Sequence, residues 1–306
     1  MKDKLIGMLL GGHNAEHEVS LQSGAALTRA LQARGYRVTE IVVDTNLATA
    51  LRDKKIEVAF IALHGRWGED GCIQGLLEAM RIPYTGSGVL ASALSMDKVY
   101  AKKLFRQNKL EVVDDFVVSR AELGTFDPQD LPFELPAVVK PSREGSSVGI
   151  SIVHEQAQLM AAIEQARGFA GDVLIERYVA GREIQVGVLD DRALGAIEIV
   201  PAEEFYDYKA KYFSDGTTQY FFPAALEDQQ TQEVLRLGLA AHQALGCSGV
   251  SRVDTILSGD GRFYLLEVNT IPGMTEASLI PKIAQGVGIS FEDLAERLLL
   301  GASLKT

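Results

Sequence analysis

Four polar residues near the end of the chain alternate with apolar residues along two short segments, and their types suit metal and phosphate binding. They are Arg252, Asp254, Glu267 and Asn269. Residues 258–261, Ser-Gly-Asp-Gly, lie between the two segments and are typical of the turn of a β-hairpin. Cross-strand partners share a face, as do alternate residues of one strand. All four polar side chains are therefore predicted to lie on one face.

The register of this hairpin depends on the length of its loop. A two-residue loop at 259–260 places Asp254 opposite Leu265. The same register places Arg252 opposite Glu267. The other face then holds Val253, Thr255, Leu257, Tyr264, Leu266 and Val268.

Two carboxylates and an amide oxygen on one face suit Mg²⁺, which prefers oxygen ligands and keeps positions open for phosphate. The guanidinium of Arg252 beside them suits a phosphoryl group during transfer. The alternative is an ordinary amphipathic hairpin with a solvated polar face. The polar residues lie away from the turn, where a hairpin is normally covered, and this favours the metal site.

A second candidate is the glycine- and serine-rich loop at 140–149, Lys-Pro-Ser-Arg-Glu-Gly-Ser-Ser-Val-Gly. Backbone amides and hydroxyls of such a loop can surround phosphate oxygens, with Lys140 at its base. The loop lacks the GK[ST] pattern that opens a helix in P-loop proteins. A plain turn is the alternative for this segment taken alone. Together with the hairpin it indicates a phosphate site.

The third candidate is an aromatic segment at 205–213 and 220–222, in which eight aromatic residues are interleaved with Lys209 and Lys211. One interpretation is a lid at 203–222 that excludes water from a reacting phosphate. The other is a surface loop packed by its own aromatic side chains.

The elements that position these residues begin with an alternation of strands and helices. Strands are predicted at 4–10, 38–43 and 56–63, with the start of a fourth at 82–84. Strands joined by helices predict a parallel sheet, beyond whose carboxyl ends ligands bind. The loops at 11–18 and 64–71 are therefore the places to expect a site.

Two further units follow in the sequence. The second begins with one helix from 95 to 109 and continues through strands on both sides of the phosphate loop. The third contains strands, a helix at 228–245, the hairpin and a last helix at 291–300. The predicted domains are 1–95, 96–180 and 181–306, with the lid in the last of them.

Composition limits the possible partners. The chain has 306 residues, 47% hydrophobic residues and a net charge of −11, which argues against nucleic acid or an anionic membrane as partner. No apolar run is long enough for a membrane span. The apolar start of the chain is interpreted as a buried strand, since it lacks a signal-peptide cleavage site. Cys72 and Cys247 are expected to be free thiols in a reducing compartment.

Taken together, these segments resemble the D-alanine–D-alanine ligase family of the ATP-grasp superfamily. The matching segments are 11–20, 64–65, 96–98, 140–149, 176–183, 208–212 and 269–279. The resemblance implies an α/β ATP-grasp fold, with an N-terminal parallel α/β domain followed by two α+β subdomains that clasp ATP.

The resemblance also implies roles in nucleotide and metal binding. Lys98, Lys140 and Lys211 resemble lysines that contact phosphate, and Ser146 and Ser147 belong to the phosphate loop. The adenine-contacting segment corresponds to Glu176, Arg177 and Val179, and Glu183 to the ribose contact. Asp254, Glu267 and Asn269 match ligands of two Mg²⁺ ions, for which Mn²⁺ can substitute, and Glu267 bridges the two.

Substrate and catalytic roles are implied in the same way. Glu16 resembles the residue that holds the ammonium of the first D-alanine, and His64, nearby, is also implied to bind substrate. Ser278 and Leu279 match the stretch that receives the carboxylate of the second. Arg252 and the backbone of Gly273 resemble the groups that contact the reaction intermediate. Ser146 and Tyr212 resemble hydrogen-bond partners of Glu16.

The implied activity is the ATP-dependent ligation of two D-alanine molecules through D-alanyl phosphate, for peptidoglycan precursors, by a cytoplasmic homodimer. Two departures are Arg177, where lysine is common, and Ile271, a mild variation. The alternatives are a D-alanine–D-lactate ligase or another ATP-grasp carboxylate–amine ligase. A nucleotide-binding regulatory protein with an inactive site is a third, against which the intact set at 252–269 argues.

Overall fold

A computed structural model describes five stretches of the chain: residues 1–14, 16–122, 126–146, 148–200 and 218–305. Within these stretches the chain forms three β-sheets. No helix in the described part of the chain has the length and apolar character that crossing a membrane requires.

The first sheet is parallel, as its alternating pattern predicts, with strand order β2-β1-β3. Its strands are β1 (Leu5–Gly11), β2 (Arg37–Val43) and β3 (Val58–Ile61). Its helices are α1 (His17–Ala33), α2 (Leu47–Asp53) and α3 (Cys72–Ala79). The expected fourth strand is reduced to single bridges from Tyr84 to Ala59 and Ser303. Pro83 lacks an N–H to extend that ladder, and Gly86 turns the chain away at a φ of +84°.

The helix predicted at 95–109 is confirmed only from residue 98 to residue 107, because two helices meet at Asp97. They are α4 (Val89–Met96) and α5 (Lys98–Gln107). Asp97 between them has extended backbone, and its side chain accepts hydrogen bonds from the N–H groups of Val99 and Tyr100. An aspartate that caps a helix in this way starts a new one. The break places Lys98 in the first turn of α5.

The second sheet is antiparallel, with strand order β4-β7-β5-β6. Its elements are β4 (Asp115–Val118), β5 (Ala137–Pro141), β6 (Ser151–Val153), α6 (Gln156–Arg167) and β7 (Val173–Arg177). A 3-10 helix (Pro128–Asp130) precedes β5. Leu159 and Ile163 of α6 pack on Val139 and Ile175 of the sheet. The phosphate loop joins β5 to β6 at the edge of this sheet.

The third sheet is also antiparallel, with strand order β10-β9-β8-β11-β12. Its strands are β8 (Gly181–Leu189), β9 (Arg192–Val200), β10 (Gln219–Phe221), β11 (Val250–Ser258) and β12 (Phe263–Asn269). Its helices are α7 (Asp228–Ala244), α8 (Leu279–Gly286) and α9 (Phe291–Leu300). Strand β10 is the described end of the predicted lid and pairs with β9.

The hairpin of β11 and β12 has a different register from the predicted one. Ser258 donates its N–H to the carbonyl of Arg262, so the loop has three residues and ends at Gly261, whose φ is +83°. A β-bulge after Asp254 shifts the register again, and Asp254 pairs with Glu267. The two shifts together move the partners by two residues and preserve the face of the four polar side chains.

The longer loop and the bulge together change the neighbours of two other residues. Tyr264 pairs with Ile256, not with a residue of the expected apolar face. Tyr264 and Leu266 pack with Val113 and Val179 on the side of the polar residues. Their predicted position on the opposite face is therefore wrong: the extra loop residue reverses the face of Tyr264, and the bulge at Leu266 restores the predicted face only from Glu267 onward.

Helix α9 packs into the hydrophobic core of the first unit. Leu294 and Leu298 of α9 share one buried cluster with Leu27 of α1 and Phe60 of β3. Arg34 at the end of α1 pairs with Asp293 at 2.6 Å and with Glu296 at 2.5 Å. The first and third units are therefore packed against each other through a continuous apolar core.

Two mid-helix glycines give a matched test of this packing. A Cβ at Gly24 of α1 would lie 2.6 Å from Leu10 Cδ2, whereas a Cβ at Gly75 of α3 would meet nothing within 4 Å. We expect Gly24→Ala to destabilise the protein by about 1–3 kcal/mol through overpacking. Gly75→Ala should stabilise it by up to about 1 kcal/mol through helix propensity. Urea denaturation of both variants checks this, and equal midpoints would contradict the packing of α1 on β1.

Candidate active site

The hairpin brings the four polar residues together as two cross-strand pairs, Arg252 with Asn269 and Asp254 with Glu267. The guanidinium of Arg252 binds both carboxylate oxygens of Asp254, at 2.8 and 2.9 Å. Asn269 Nδ2 donates to Asp254 Oδ2 at 3.2 Å, which turns the amide oxygen of Asn269 away from that carboxylate. The face therefore presents two carboxylates, one amide oxygen and one guanidinium.

Lys98 reaches this face from the first turn of α5. Its Nζ lies 3.1 Å from Glu267 Oε2 and donates to the carbonyl oxygen of Glu144 at 2.6 Å. Burial alone would lower the pKa of Lys98, but the charge and hydrogen bond of Glu267, together with the charges of Glu176 and Glu144, raise it. The backbone N–H of Lys98 also donates to Ser142 O at 2.9 Å. One lysine thus joins the hairpin to the phosphate loop.

A second group of charges is buried at the base of the phosphate loop. Glu176 Oε2 lies 2.6 Å from Lys140 Nζ, and Oε1 lies 2.5 Å from Lys102 Nζ. Lys102 is 1% exposed and also binds Asp115, which pairs in turn with Arg106. Burial alone would raise the pKa of Glu176, but the two lysines lower it to about 2. Glu176 is therefore a carboxylate at any physiological pH.

A cavity of about 300 Å³ opens beside Lys140 and Glu176, between the second and third sheets. Its apolar walls include Val113, Val138, Ile256 and Leu266, and its rim includes Arg177, Val179 and Glu183. The guanidinium of Arg177 binds Asp114 at 3.1 Å and lies over the ring of Tyr264. An apolar cleft with a few polar groups and lysines at one end suits a purine nucleotide.

The first sheet contributes Glu16, at the start of α1. The hydroxyl group of Ser146, in the phosphate loop, donates a hydrogen bond to Glu16 Oε1. Glu16 N–H donates to Asn14 Oδ1 at 2.9 Å, and Asn14 Nδ2 donates to the carbonyl of His64 at 2.7 Å. These contacts connect the loops after β1 and β3, where the parallel sheet predicts a ligand.

His64 is buried, and both of its ring nitrogens have partners. Nδ1 lies 2.9 Å from the carbonyl oxygen of Ile271, and Nε2 lies 3.2 Å from Ser23 Oγ. Burial lowers the pKa of His64, so the ring is neutral. Glu69, which sequence reasoning missed, accepts the N–H groups of Gly65 at 2.7 Å and Ile271 at 3.0 Å. Burial, with the charge of Glu16, raises the pKa of Glu69 to about 8.

The segment after β12 holds the remaining predicted residues. Ser278 precedes α8, and its Oγ accepts the N–H of Thr275 at 3.1 Å. A Cβ on Gly273 would lie 2.8 Å from Ser278 Oγ, so these two residues are in close contact. Leu279 is buried as the first residue of α8.

Not every predicted site residue is described. Ser147, Lys211 and Tyr212 lie outside the described stretches, as does the lid before residue 218. Sequence reasoning also missed Lys102 and Asp115. The position of Glu69 in the 64–71 loop was the one available signal for it. Nothing in the spacing of Lys102 distinguishes it from a surface lysine of α5.

Two family models match the chain. One is described as "D-ala D-ala ligase N-terminus" and matches residues 45–87. The other is described as "D-ala D-ala ligase C-terminus" and matches residues 112–300.

Two similar proteins, both named D-alanine–D-alanine ligase, match this chain along nearly their whole length. A D-alanine–D-alanine ligase of Anaeromyxobacter dehalogenans strain 2CP-1 is 57% identical over 302 residues, covering 99% of this chain and 98% of the relative. One from Geobacter sulfurreducens is 54% identical over 306 residues, covering 100% of this chain and 96% of the relative.

Solved ligase structures match the chain along nearly its whole length. The crystal structure of D-alanine–D-alanine ligase from Bacillus anthracis complexed with ATP has a TM-score of 0.86 at 36% identity, covering 97% and 96% of the two chains. The VanG D-Ala:D-Ser ligase from Enterococcus faecalis has a TM-score of 0.84 at 30% identity, covering 97% and 98%.

The buried charges at the phosphate loop give a second prediction. Glu176→Gln leaves Lys140 buried without its carboxylate, and we expect a loss of about 3–5 kcal/mol. Lys102→Met is the matched control, because Glu176 keeps Lys140 and Asp115 keeps Arg106. It should cost far less. Denaturant midpoints of the ligand-free variants measure both, and a larger loss for Lys102→Met would contradict this account.

Proposed function

The chain belongs to the D-alanine–D-alanine ligase family, and we propose that the residues described above form its active site. The activity of the chain is the ATP-dependent joining of two D-alanine molecules into D-alanyl-D-alanine, a peptide-bond-forming ligation. In this family the dipeptide enters peptidoglycan synthesis. The ATP-grasp fold predicted from the sequence is confirmed by the agreement with solved ligases along nearly the whole chain.

The position of the phosphate loop is the observation that carries the assignment of the site. Its Glu144 carbonyl binds Lys98, which lies on Glu267, and its Ser146 hydroxyl binds Glu16. The phosphate loop is thus joined through Lys98 to the proposed metal-binding face of the hairpin. Through Ser146 it contacts Glu16, in the proposed binding site of the first D-alanine. A phosphoryl group held by this loop would lie between a nucleotide and a carboxylate substrate.

ATP is proposed to lie in the 300 Å³ cavity, with adenine against the backbone of residues 176–179 and ribose at Glu183. Lys98 and Lys140 would bind its phosphates. In the ligand-free protein both lysines are neutralised by carboxylates, Glu267 and Glu176. An anionic phosphate chain can share these cations without an unpaired charge being buried.

The donor set on the hairpin fits Mg²⁺. Asp254, Glu267 and Asn269 offer oxygen ligands on one face but too few to fill an octahedral shell, so water and phosphate oxygens would complete it. Among the described residues no cluster of three or more His, Cys, Asp or Glu forms an all-protein cage. When bound, two Mg²⁺ ions would neutralise charge on the transferred phosphoryl group.

The chemistry has two steps, because a carboxylate is a poor electrophile. The γ-phosphoryl group of ATP passes to the carboxylate of the first D-alanine, giving D-alanyl phosphate and ADP. The amine of the second D-alanine attacks the acyl carbon, and phosphate leaves from the tetrahedral intermediate. Arg252 and Lys211 are proposed to neutralise the phosphoryl group. The N–H of Gly273 is proposed to stabilise the oxyanion.

Binding of the two amino acids is assigned to different units. Glu16, fixed by Ser146, is proposed to hold the ammonium of the first D-alanine. The N-terminus of α8 at Ser278 and Leu279 is proposed to receive the carboxylate of the second, since helix N-termini bind anions. Tyr212 is proposed to join the Ser146–Glu16 pair when the lid closes. The family resemblance also supports a homodimer in the bacterial cytoplasm.

The metal assignment predicts a large effect of one substitution. Glu267→Gln should reduce turnover by about a hundredfold or more, the scale on which one preorganised electrostatic group acts. Asp260→Asn, at the exposed turn of the same hairpin, is the control and should leave turnover unchanged. Steady-state release of phosphate at saturating Mg²⁺ measures both. Near-normal turnover of Glu267→Gln would show that the assignment of Glu267 as a metal ligand is wrong.

The product assignment is tested with a mixture of acceptors. With ATP, Mg²⁺ and equimolar D-alanine, D-lactate and D-serine at neutral pH, we expect D-alanyl-D-alanine as the main product. Chromatography of the products measures it across a pH series. Mainly depsipeptide would favour the D-lactate alternative, and ATP binding without any product would favour an inactive regulatory protein.

A further inference from the structure

Both backbone polar groups of Ile271 are bound by side chains from the first unit. Its carbonyl accepts from His64 Nδ1 at 2.9 Å, and its N–H donates to Glu69 Oε1 at 3.0 Å. Ile271 lies in the irregular segment between β12 and α8, where no strand or helix satisfies its backbone. Buried backbone groups require partners. Here two side chains from one loop supply both.

The other ends of these two side chains are also fixed. The second oxygen of Glu69 accepts the N–H of Gly65 at 2.7 Å. His64 Nδ1 faces a carbonyl, so it carries the proton, and Nε2 accepts from the hydroxyl of Ser23. The oxygen of Ser23 accepts the N–H of Met274 at 3.2 Å. When His64 is neutral, its Nδ1 proton, the Ser23 hydroxyl and the N–H groups of Gly65, Ile271 and Met274 all have acceptors.

The network therefore holds the chain at Ile271 and at Met274, on both sides of Gly273. Pro272 lies between Ile271 and Gly273, and its ring fixes its φ. These contacts leave the N–H of Gly273 little freedom to change direction. The loop that carries His64 and Glu69 is also joined to Glu16 through Asn14. Asn14 Nδ2 donates to the carbonyl of His64 at 2.7 Å, and Asn14 Oδ1 accepts the N–H of Glu16 at 2.9 Å. The two proposed substrate-contacting groups, Glu16 and Gly273, are thus tied to one frame.

We infer that His64 and Glu69 are positioning residues that clamp the backbone of Ile271 and thereby fix the Gly273 N–H relative to the bound first D-alanine. This inference rests on the proposed role of Gly273 in the ligation. His64 acts through the protein backbone and not as a ligand of D-alanine. Glu69 is its partner on the adjacent N–H, and a displacement of about 1 Å at such a donor costs on the order of a hundredfold in rate.

Two substitutions of His64 separate the clamp from a substrate contact. The amide nitrogen of asparagine can occupy the position of Nδ1, so His64→Asn can still donate to Ile271. The amide of glutamine occupies the position of Nε2, so His64→Gln loses that donor. We expect His64→Asn to keep kcat within about tenfold, the worth of one hydrogen bond. His64→Gln should lose about a hundredfold, with the KM for ATP unchanged in both.

Glu69→Gln tests the other half of the clamp. Glutamine has one carbonyl oxygen and cannot accept from both Gly65 and Ile271. We expect kcat to fall by roughly tenfold or more while the KM for ATP is unchanged. The control is Glu57→Gln, because Glu57 also accepts a backbone N–H of the first unit, that of Leu5 at 2.8 Å, but is exposed and remote from the site. It should leave kcat unchanged.

Hydrogen–deuterium exchange of the ligand-free protein gives a readout that does not depend on activity. Peptides covering residues 270–279 should exchange faster in Glu69→Gln and His64→Gln than in the unmodified protein, and no faster in Glu57→Gln. Ser23→Ala, a small change that removes the link to Met274, keeps the test available if the other variants fold poorly.

The outcomes of these experiments are distinct. Unchanged exchange, or greater activity of His64→Gln than of His64→Asn, would overturn the clamp. Faster exchange in a protein whose unmodified form makes no dipeptide would keep the clamp and reject the proposed function.

Discussion

The lysines of this site are buried and Arg252 is partly buried, and a buried cation must be neutralised. Lys98 lies on Glu267, Lys140 and Lys102 share Glu176, and Arg252 holds Asp254. In a chain with a net charge of −11, these pairs gather positive charge locally without leaving it unpaired. The ligand-free site is a set of internal ion pairs whose cations are available to phosphate. The fold brings helix α5 together with strands of the second and third sheets so that these pairs can form.

The hairpin shows how much a sequence pattern can establish. Period-two alternation correctly placed Arg252, Asp254, Glu267 and Asn269 on one face, although the predicted register was wrong. The loop and the bulge each added one residue. Together they moved the cross-strand pairing by two residues, so each polar side chain stayed on the predicted face. Tyr264, between the two shifts, had its face reversed. A face is set by many alternating residues, whereas a register is set by one turn and one bulge.

Other features were beyond the sequence because their partners are remote along the chain. Glu69 acquires its role from Ile271, 202 residues away, and Lys102 from Glu176, 74 residues away. No local spacing encodes such contacts, and a lone carboxylate in a loop or a lone lysine in a helix is normally at the surface. The start of α5 at Asp97 is a partial exception, because aspartate is a common N-terminal cap of helices, and the prediction of a helix from residue 95 did not use that signal.

The packing of α9 on α1 also bears on how the protein is made. Arg34 and Asp293 are 259 residues apart in the sequence, and the buried cluster around Leu27 includes Leu294 and Leu298. During synthesis the amino-terminal sheet emerges from the ribosome first, but that face of its core has no cover until helix α9 has followed. The nascent amino-terminal unit therefore exposes an apolar surface until residues 291–300 have been made. Until then the surface must be shielded by another protein, or the unit must stay only partly folded.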